Sequence, residues 1–302
     1  MKQGTFTPRE RFRRRRIRRD NIKKGIYLLP NLFTSASLFA GFYSIIATVN
    51  GDFHRAAWAI VISMICDGAD GRIARMTHTT SRFGIEYDSL ADLIAFGIAP
   101  GMLAYQWALR PFGKWGWSAS FLFVICGALR LARFNVQIDT IESYTFNGLP
   151  IPASAGLVAA TVLLAQEFGW EIQEGRHIVL LIVMFLLAVL MVSNVKFLSF
   201  KELHLRRRKP FGVLLSIIVL LPLIVNEPEI ALFGIFSLYV LHGPVRTLFL
   251  WRKARISGYA SIEDALEQER AETGGGSAAA GAAGTHLFER DAEDEEGKGP
   301  SI

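Results

Sequence analysis

The sequence predicts an all-α integral membrane protein of about eight transmembrane helices, and three observations carry that expectation. Hydrophobic residues make up 51% of the 302 and charged residues only 20%, with a mean hydropathy of +0.30 that is too apolar for an ordinary soluble protein. Apolar runs of roughly 20 residues, the length that crosses a bilayer, recur along most of the chain. An arginine-rich arm stands directly before the first of them.

The runs fall at about 28–49, 56–75, 88–108, 115–134, 149–168, 177–199, 211–226 and 230–250. Backbone that faces lipid must satisfy its own hydrogen bonds, so each is expected to be a helix. The third run carries Asp88 and Asp92, and the fifth opens on LPIPASAG with two prolines. Residues 1–27 form the basic arm, 28–250 the transmembrane catalytic domain, and 251–302 a tail. In the tail, SIEDALEQERAE (261–272) has the pattern of a short amphiphilic helix, and the Gly/Ala-rich and acidic stretch beyond about 272 reads as disordered.

Charge sets the orientation. The arm carries Lys2, Arg9, Arg11, Arg13, Arg14, Arg15, Arg16, Arg18, Arg19, Lys23 and Lys24 against Glu10 and Asp20, which holds it in the cytoplasm by the positive-inside rule. Eight spans return the C-terminus to the same side, placing both termini in the cytoplasm of a multi-pass protein of a bacterial-type inner membrane. KELHLRRRKP (201–210) and the connection between Asp67 and Asp92 then fall inside, while QEFGWEIQEGR (166–176) and NEPE (226–229) fall outside. RPFGKWGW (110–117) is an outside loop with two basic residues and disagrees mildly. The arm reads as a topology signal that touches anionic headgroups, not as a nucleic-acid binder. No cleavable signal is expected, because the first run lacks a small-residue cleavage site close behind it. Cys66 and Cys126 both lie in apolar runs and read as packing residues.

The chemistry concentrates in CDGADGRIARMTHTTSRFGIEYDSLAD (66–92). Asp67 and Asp70 are three apart and Asp88 and Asp92 four apart, so each pair projects from one face of its helix. Carboxylates beside lipid are costly without partners. The intervening residues are long enough to turn the chain back, which would bring four oxygen donors to one point, a hard-ligand set suited to Mg²⁺ or Mn²⁺. Gly71 and Gly84 allow close approach of a phosphate to the backbone, and Arg75 offers a guanidinium fork for its oxygens.

Taken whole, Asp67-x2-Asp70-Gly71-x2-Ala74-Arg75-x8-Gly84-x3-Asp88-x3-Asp92 resembles the signature of the CDP-alcohol phosphotransferase family of membrane enzymes. GALRLARFNV (127–136), FNGLPIPASAG (146–156) and, more loosely, LLPNLFTSASLFAGF (28–42) are similar to the branch of that family whose acceptor is serine. The resemblance implies a polar active-site cavity facing the cytoplasm, with two Mg²⁺ or Mn²⁺ ions held by Asp67, Asp70, Asp88 and Asp92. It further implies transfer of the phosphatidyl group from CDP-diacylglycerol to the hydroxyl of L-serine, with release of CMP and with Asp92 as general base. By the same resemblance Asn31, Thr34, Gly71, Ala74, Arg75, Thr80, Ser81 and Gly84 would contact the CDP moiety. The serine carboxylate calls for cations, for which Arg130 and Arg133 on one face of the fourth run are candidates, with Arg82 and Asn135 beside them. Snorkelling of the two arginines to the headgroups is the alternative. Family members are often homodimers.

Two other functions compete. A sister enzyme with glycerol 3-phosphate or an inositol phosphate as acceptor would need more basic residues at the mouth. A divalent-cation channel or transporter would need acidic residues at several depths, yet the interiors of the fifth to eighth runs contain none.

Overall fold

The computed structural model of the chain describes residues 30–77, 81–137, 146–169, 178–193, 195–197, 222 and 224–257. The basic arm, Thr80, the 201–210 loop, nearly all of the 211–226 run and the tail beyond 257 lie outside the described residues. Two compact units divide the chain, Met1–Gly243 and Pro244–Ile302. The described part of the second is helical and ends at Ser257.

Helix α1 (Pro30–Val49) starts on a proline, whose fixed φ suits a first turn and whose missing N–H costs nothing there. It closes at Gly51, which adopts φ 78° while the amides of Gly51 and Asp52 bond back to the Thr48 and Ala47 carbonyls. Asp52 then caps α2 (Phe53–Thr77) by accepting from the Arg55 amide at 3.1 Å. Ser81 caps α3 (Arg82–Asp92) by accepting from the Gly84 amide at 3.0 Å.

The run expected as one helix over 88–108 is a composite. From Asp92 the chain passes through a π-helical turn (Leu93–Ile98), α4 (Ala99–Ala104), a second π turn (Tyr105–Leu109) and a 3-10 turn (Arg110–Phe112). Pro100 explains part of this, because it cannot donate to the preceding turn and the ladder must re-form around it. After Gly113 at φ 57° comes α5 (Lys114–Gln137), followed by α6 (Ile151–Glu167), α7 (Ile178–Val192) and α8 (Pro228–Ser257).

An element absent from the helical expectation is a two-residue antiparallel pair, β1 (Phe146–Asn147) with β2 (Lys196–Phe197). It joins the approach to α6 with the exit from α7, reinforced by bonds from the Gly148 amide to Val195 O and from the Leu149 amide to Leu190 O. Arg130 on α5 donates to Gly148 O at 3.2 Å, tying this strap to the fourth run.

Among the described residues three helices, Pro30–Val49, Lys114–Val136 and Pro228–Leu248, are long and apolar enough to cross a membrane, and Ile151–Glu167 and Ile178–Val192 are shorter apolar helices. Helix α2 has the length but carries Asp67, Asp70, Arg72 and Arg75. Packing follows membrane rules. The interior is rich in alanine, including Ala56, Ala57, Ala95, Ala99, Ala155 and Ala159, while large apolar side chains such as Phe39, Ile65 and Leu186 face outward. Small residues let backbones approach where lipid removes the usual drive to bury large ones. Helix α2 packs mainly on α6, and α5 on α7. Gly41 of α1 meets the first π turn so closely that a β-carbon there would lie 2.6 Å from Ala95 Cα. That contact fixes α1 against the π turn that directly follows Asp92.

Candidate active site

Local structure brings the two aspartate pairs together. Asp67 and Asp70 lie in the second half of α2, and Asp88 and Asp92 in the second half of α3. Carboxylate oxygens of Asp67, Asp70 and Asp88 lie within 4.8 Å of one another. Asp92 sits against Asp67 within hydrogen-bonding reach. Carboxylates this close repel unless a cation or proton lies between them.

The donor set fits a divalent ion. All three clustered groups are hard oxygen ligands, and no cysteine or histidine competes in the cluster. Asp88 Oδ1 is buried with no hydrogen-bond partner among the described residues, an arrangement that is costly for a protein atom and ordinary for a metal ligand. Asp70 is held by Thr34, whose hydroxyl lies 2.9 Å from Asp70 Oδ2 and 3.1 Å from Pro30 O. The single hydroxyl proton serves one of these at a time, and in the Asp70 arrangement Thr34 orients a ligand carboxylate as well as lining the site.

Asp70, Asp88, Asp92 and Thr34 open onto a cavity of about 360 Å³, and Asp67 is not among its walls. Its walls include Asn31 and Thr34 from α1, Asp70, Gly71 and Arg75 from α2, and Ser81, Gly84, Asp88, Ser89 and Asp92 from the α3 side. Leu131, Phe134 and Asn135 complete it from α5. The candidate CDP contacts Asn31, Thr34, Gly71, Arg75, Ser81 and Gly84 therefore share one cavity. Ala74 lies on α2, and Thr80 falls outside the described residues. Ser81 spends a lone pair on the Gly84 amide and keeps its O–H as a donor to a ligand.

The two signature glycines differ. A β-carbon on Gly84 would press on Ser81 Oγ at 3.1 Å and face Asn31 Oδ1 at 3.6 Å, so this glycine allows the α1–α3 approach. On Gly71 it would meet only the Arg75 guanidinium at 3.9 Å. Space beside Gly71 is open cavity, which favours a ligand over helix packing. Gly71→Ala is thus expected to leave the thermal midpoint in detergent unchanged and to raise KM for the nucleotide-linked substrate. A fall in stability with unchanged KM would return Gly71 to a packing role.

The candidate anion-binding residues are not gathered in the same way. Asn135 lines the cavity, whereas Arg130, Arg133 and Arg82 are not among its walls. Arg82 is exposed on the first turn of α3. Arg130 is committed through Nη2 to Gly148 O and keeps a buried Nε–H without an acceptor among the described residues. The polar wall residue that escaped the sequence reading is Ser89, which contacts Asn135 across 46 positions, a pairing no local pattern reveals.

Comparison with known proteins agrees with this geometry. A profile of the CDP-alcohol phosphatidyltransferase family matches residues 27–192, which include all four aspartates and every cavity wall named above. A CDP-diacylglycerol–serine O-phosphatidyltransferase of Helicobacter pylori is 44% identical over 228 residues, 76% of this chain and 94% of that protein. Proteins of the same name from Bacillus subtilis and Saccharomyces cerevisiae are 35% identical over 174 residues and 37% identical over 150. Those alignments cover 58% of this chain and 92% of the former, and 43% of this chain and 51% of the latter.

Proposed function

The chain belongs to the CDP-alcohol phosphatidyltransferase family, and we propose that it transfers the phosphatidyl group of CDP-diacylglycerol to L-serine, giving phosphatidylserine and CMP. The observation that carries this reading is the convergence of Asp70, Asp88 and Asp92 on the cavity that also presents Asn31, Gly71, Arg75 and Ser81, with Asp67 clustered against Asp70 and Asp88.

The reaction joins the serine hydroxyl oxygen to the lipid-side phosphorus and breaks the bond from that phosphorus to the bridging oxygen, which leaves with its electron pair on CMP. Asp67, Asp70 and Asp88 would hold Mg²⁺ or Mn²⁺, with Asp92 completing a second ion, and the bound cations would neutralise the pyrophosphate and stabilise departing CMP. Arg75 and Ser81 donate to phosphate oxygens, and Gly71 leaves room for the nucleotide. Asn31 reads an amide-like base edge. Asp92 accepts the proton of the attacking hydroxyl, which is too weak a nucleophile while it keeps it. The uncommitted Nε–H of Arg130, with Arg133 a turn further along α5, supports these two as partners for the serine carboxylate.

In the cell the chain would be a multi-pass inner-membrane protein of about eight spans, with both termini cytoplasmic and the cavity open to that side, working as a homodimer. The arginine-rich arm supports this topology.

Purified protein given CDP-diacylglycerol, Mn²⁺ or Mg²⁺ and labelled serine is expected to release CMP and place the label in lipid. Parallel tubes with glycerol 3-phosphate or an inositol phosphate are expected to stay blank. Label entering lipid only from a phosphorylated alcohol would transfer the assignment to a sister enzyme.

A further inference from the structure

Ser89 lies between the two α3 aspartates, on the same cavity, and its hydroxyl stands at the centre of a short polar chain. It is 3.0 Å from Ile85 O, 3.0 Å from Asn135 Nδ2 and 3.3 Å from Asn135 Oδ1. One hydroxyl proton cannot serve both oxygens. Giving it to Ile85 O satisfies the shorter contact and leaves the Ser89 lone pair to accept from Asn135 Nδ2, so the direction runs amide N–H to hydroxyl to backbone carbonyl. That assignment fixes the amide by its network. Asn135 Oδ1 is then released from Ser89 and available to a ligand hydrogen.

The group that this wall accepts can be named by its chemistry. On the α5 side the cavity is lined by Leu131, Phe134 and Asn135, with no cation among them. An amide oxygen can only accept, so it favours a donor-only group and disfavours a second phosphate, whose oxygens accept as well. An α-ammonium carried by the acceptor alcohol meets that requirement, and a phosphorylated alcohol does not.

We propose that Asn135 Oδ1 receives a hydrogen bond from the ammonium of the acceptor, and that Ser89 is a positioning residue which holds the Asn135 amide in the orientation that makes this possible. The inference rests on the serine-acceptor reading above and deepens it, since it assigns selection of an amino-bearing alcohol to a neutral pair and not to an arginine.

Steady-state kinetics on Ser89→Ala, Ser89→Thr, Asn135→Ala and the double variant test it. Ser89→Ala is expected to raise KM for serine about tenfold, the size of one lost hydrogen bond to a charged group. KM for CDP-diacylglycerol should stay near the wild-type value, and Ser89→Thr, which keeps the hydroxyl, should recover most of the loss. The double variant should be no worse than Asn135→Ala alone, because Ser89 acts through Asn135. Ethanolamine, which has the ammonium and lacks the carboxylate, should inhibit the wild type more strongly than 3-hydroxypropanoate, which has the reverse. Ser89→Ala should erase that preference.

An unchanged serine KM in Ser89→Ala, additive losses in the double variant, or stronger inhibition by 3-hydroxypropanoate would each overturn the proposal. If Ser89→Ala fails to fold, the inhibitor preference of the wild type and the Asn135→Ala kinetics still decide it. Wild-type protein that releases no CMP with serine overturns the function itself, a result distinct from any of these.

Discussion

Asp92→Asn is expected to lower kcat for CMP release by about 10²–10⁴-fold, the contribution of a positioned general base, while leaving nucleotide affinity near the wild-type value. Asparagine keeps the shape and one acceptor oxygen but cannot take a proton, so it separates proton transfer from packing. Asp92 is the last residue of α3, directly before the π turn, and it reaches the cavity beside Asp67. Calorimetric titration with CDP, set beside the turnover assay, checks both halves. Full turnover in the variant would remove Asp92 as the base. A collapse of nucleotide affinity would instead make it chiefly a metal ligand, which is the second role its contact with Asp67 supports.

The parts of the fold that were legible in the sequence are those in which a local pattern is also the physical cause. The helices over 30–49, 114–137 and 151–167 follow from apolar length, and the spacing within 66–92 foretold that its aspartates would gather. The Ser81 cap is local in origin too, since a cap needs a side-chain oxygen three residues before the amide it serves. What could not be read depends on partners distant in sequence or on a change of helical phase. The Thr34–Asp70 bond spans 36 positions and the Ser89–Asn135 pair 46, and neither leaves a periodic trace. The π turn after Asp92 lies inside a uniformly apolar run, where one extra residue per turn alters no composition. The β1–β2 strap has two residues per strand, too few for an alternating pattern, although Gly148 at φ 85° marks the place where it bends. Arg130 shows the limit of reasoning from charge alone. An arginine in an apolar run must find acceptors, and one of those it found is the Gly148 carbonyl.

The same physics predicts opposite effects of Asp88→Asn on stability and on activity. Without a cation, ionised carboxylates within 4.8 Å of one another repel by roughly 3 kcal/mol at an effective dielectric of about 20, and Asp88 Oδ1 has no donor among the described residues to offset that cost. Neutralising Asp88 is therefore expected to raise the thermal midpoint measured in EDTA. Addition of Mg²⁺ or Mn²⁺ should reverse the ranking. An ion that binds only the folded protein stabilises it by RT ln(1 + [L]/Kd), about 2.7 kcal/mol at one hundred times Kd, and a variant that has lost a ligand forfeits most of that gain. Its metal affinity should fall by at least about 100-fold, since even residues that merely support a ligand are worth 10–100-fold, and CMP release should fall with it. Melting curves with and without metal check this independently of turnover. If Asp88→Asn melts below the wild type in EDTA, the carboxylate is held by protein contacts and is no ligand. If it shows the wild-type gain on adding metal, the ion sits elsewhere. The crossover appears only when the aspartates are kept close for a cation, at a cost in stability that the cation repays.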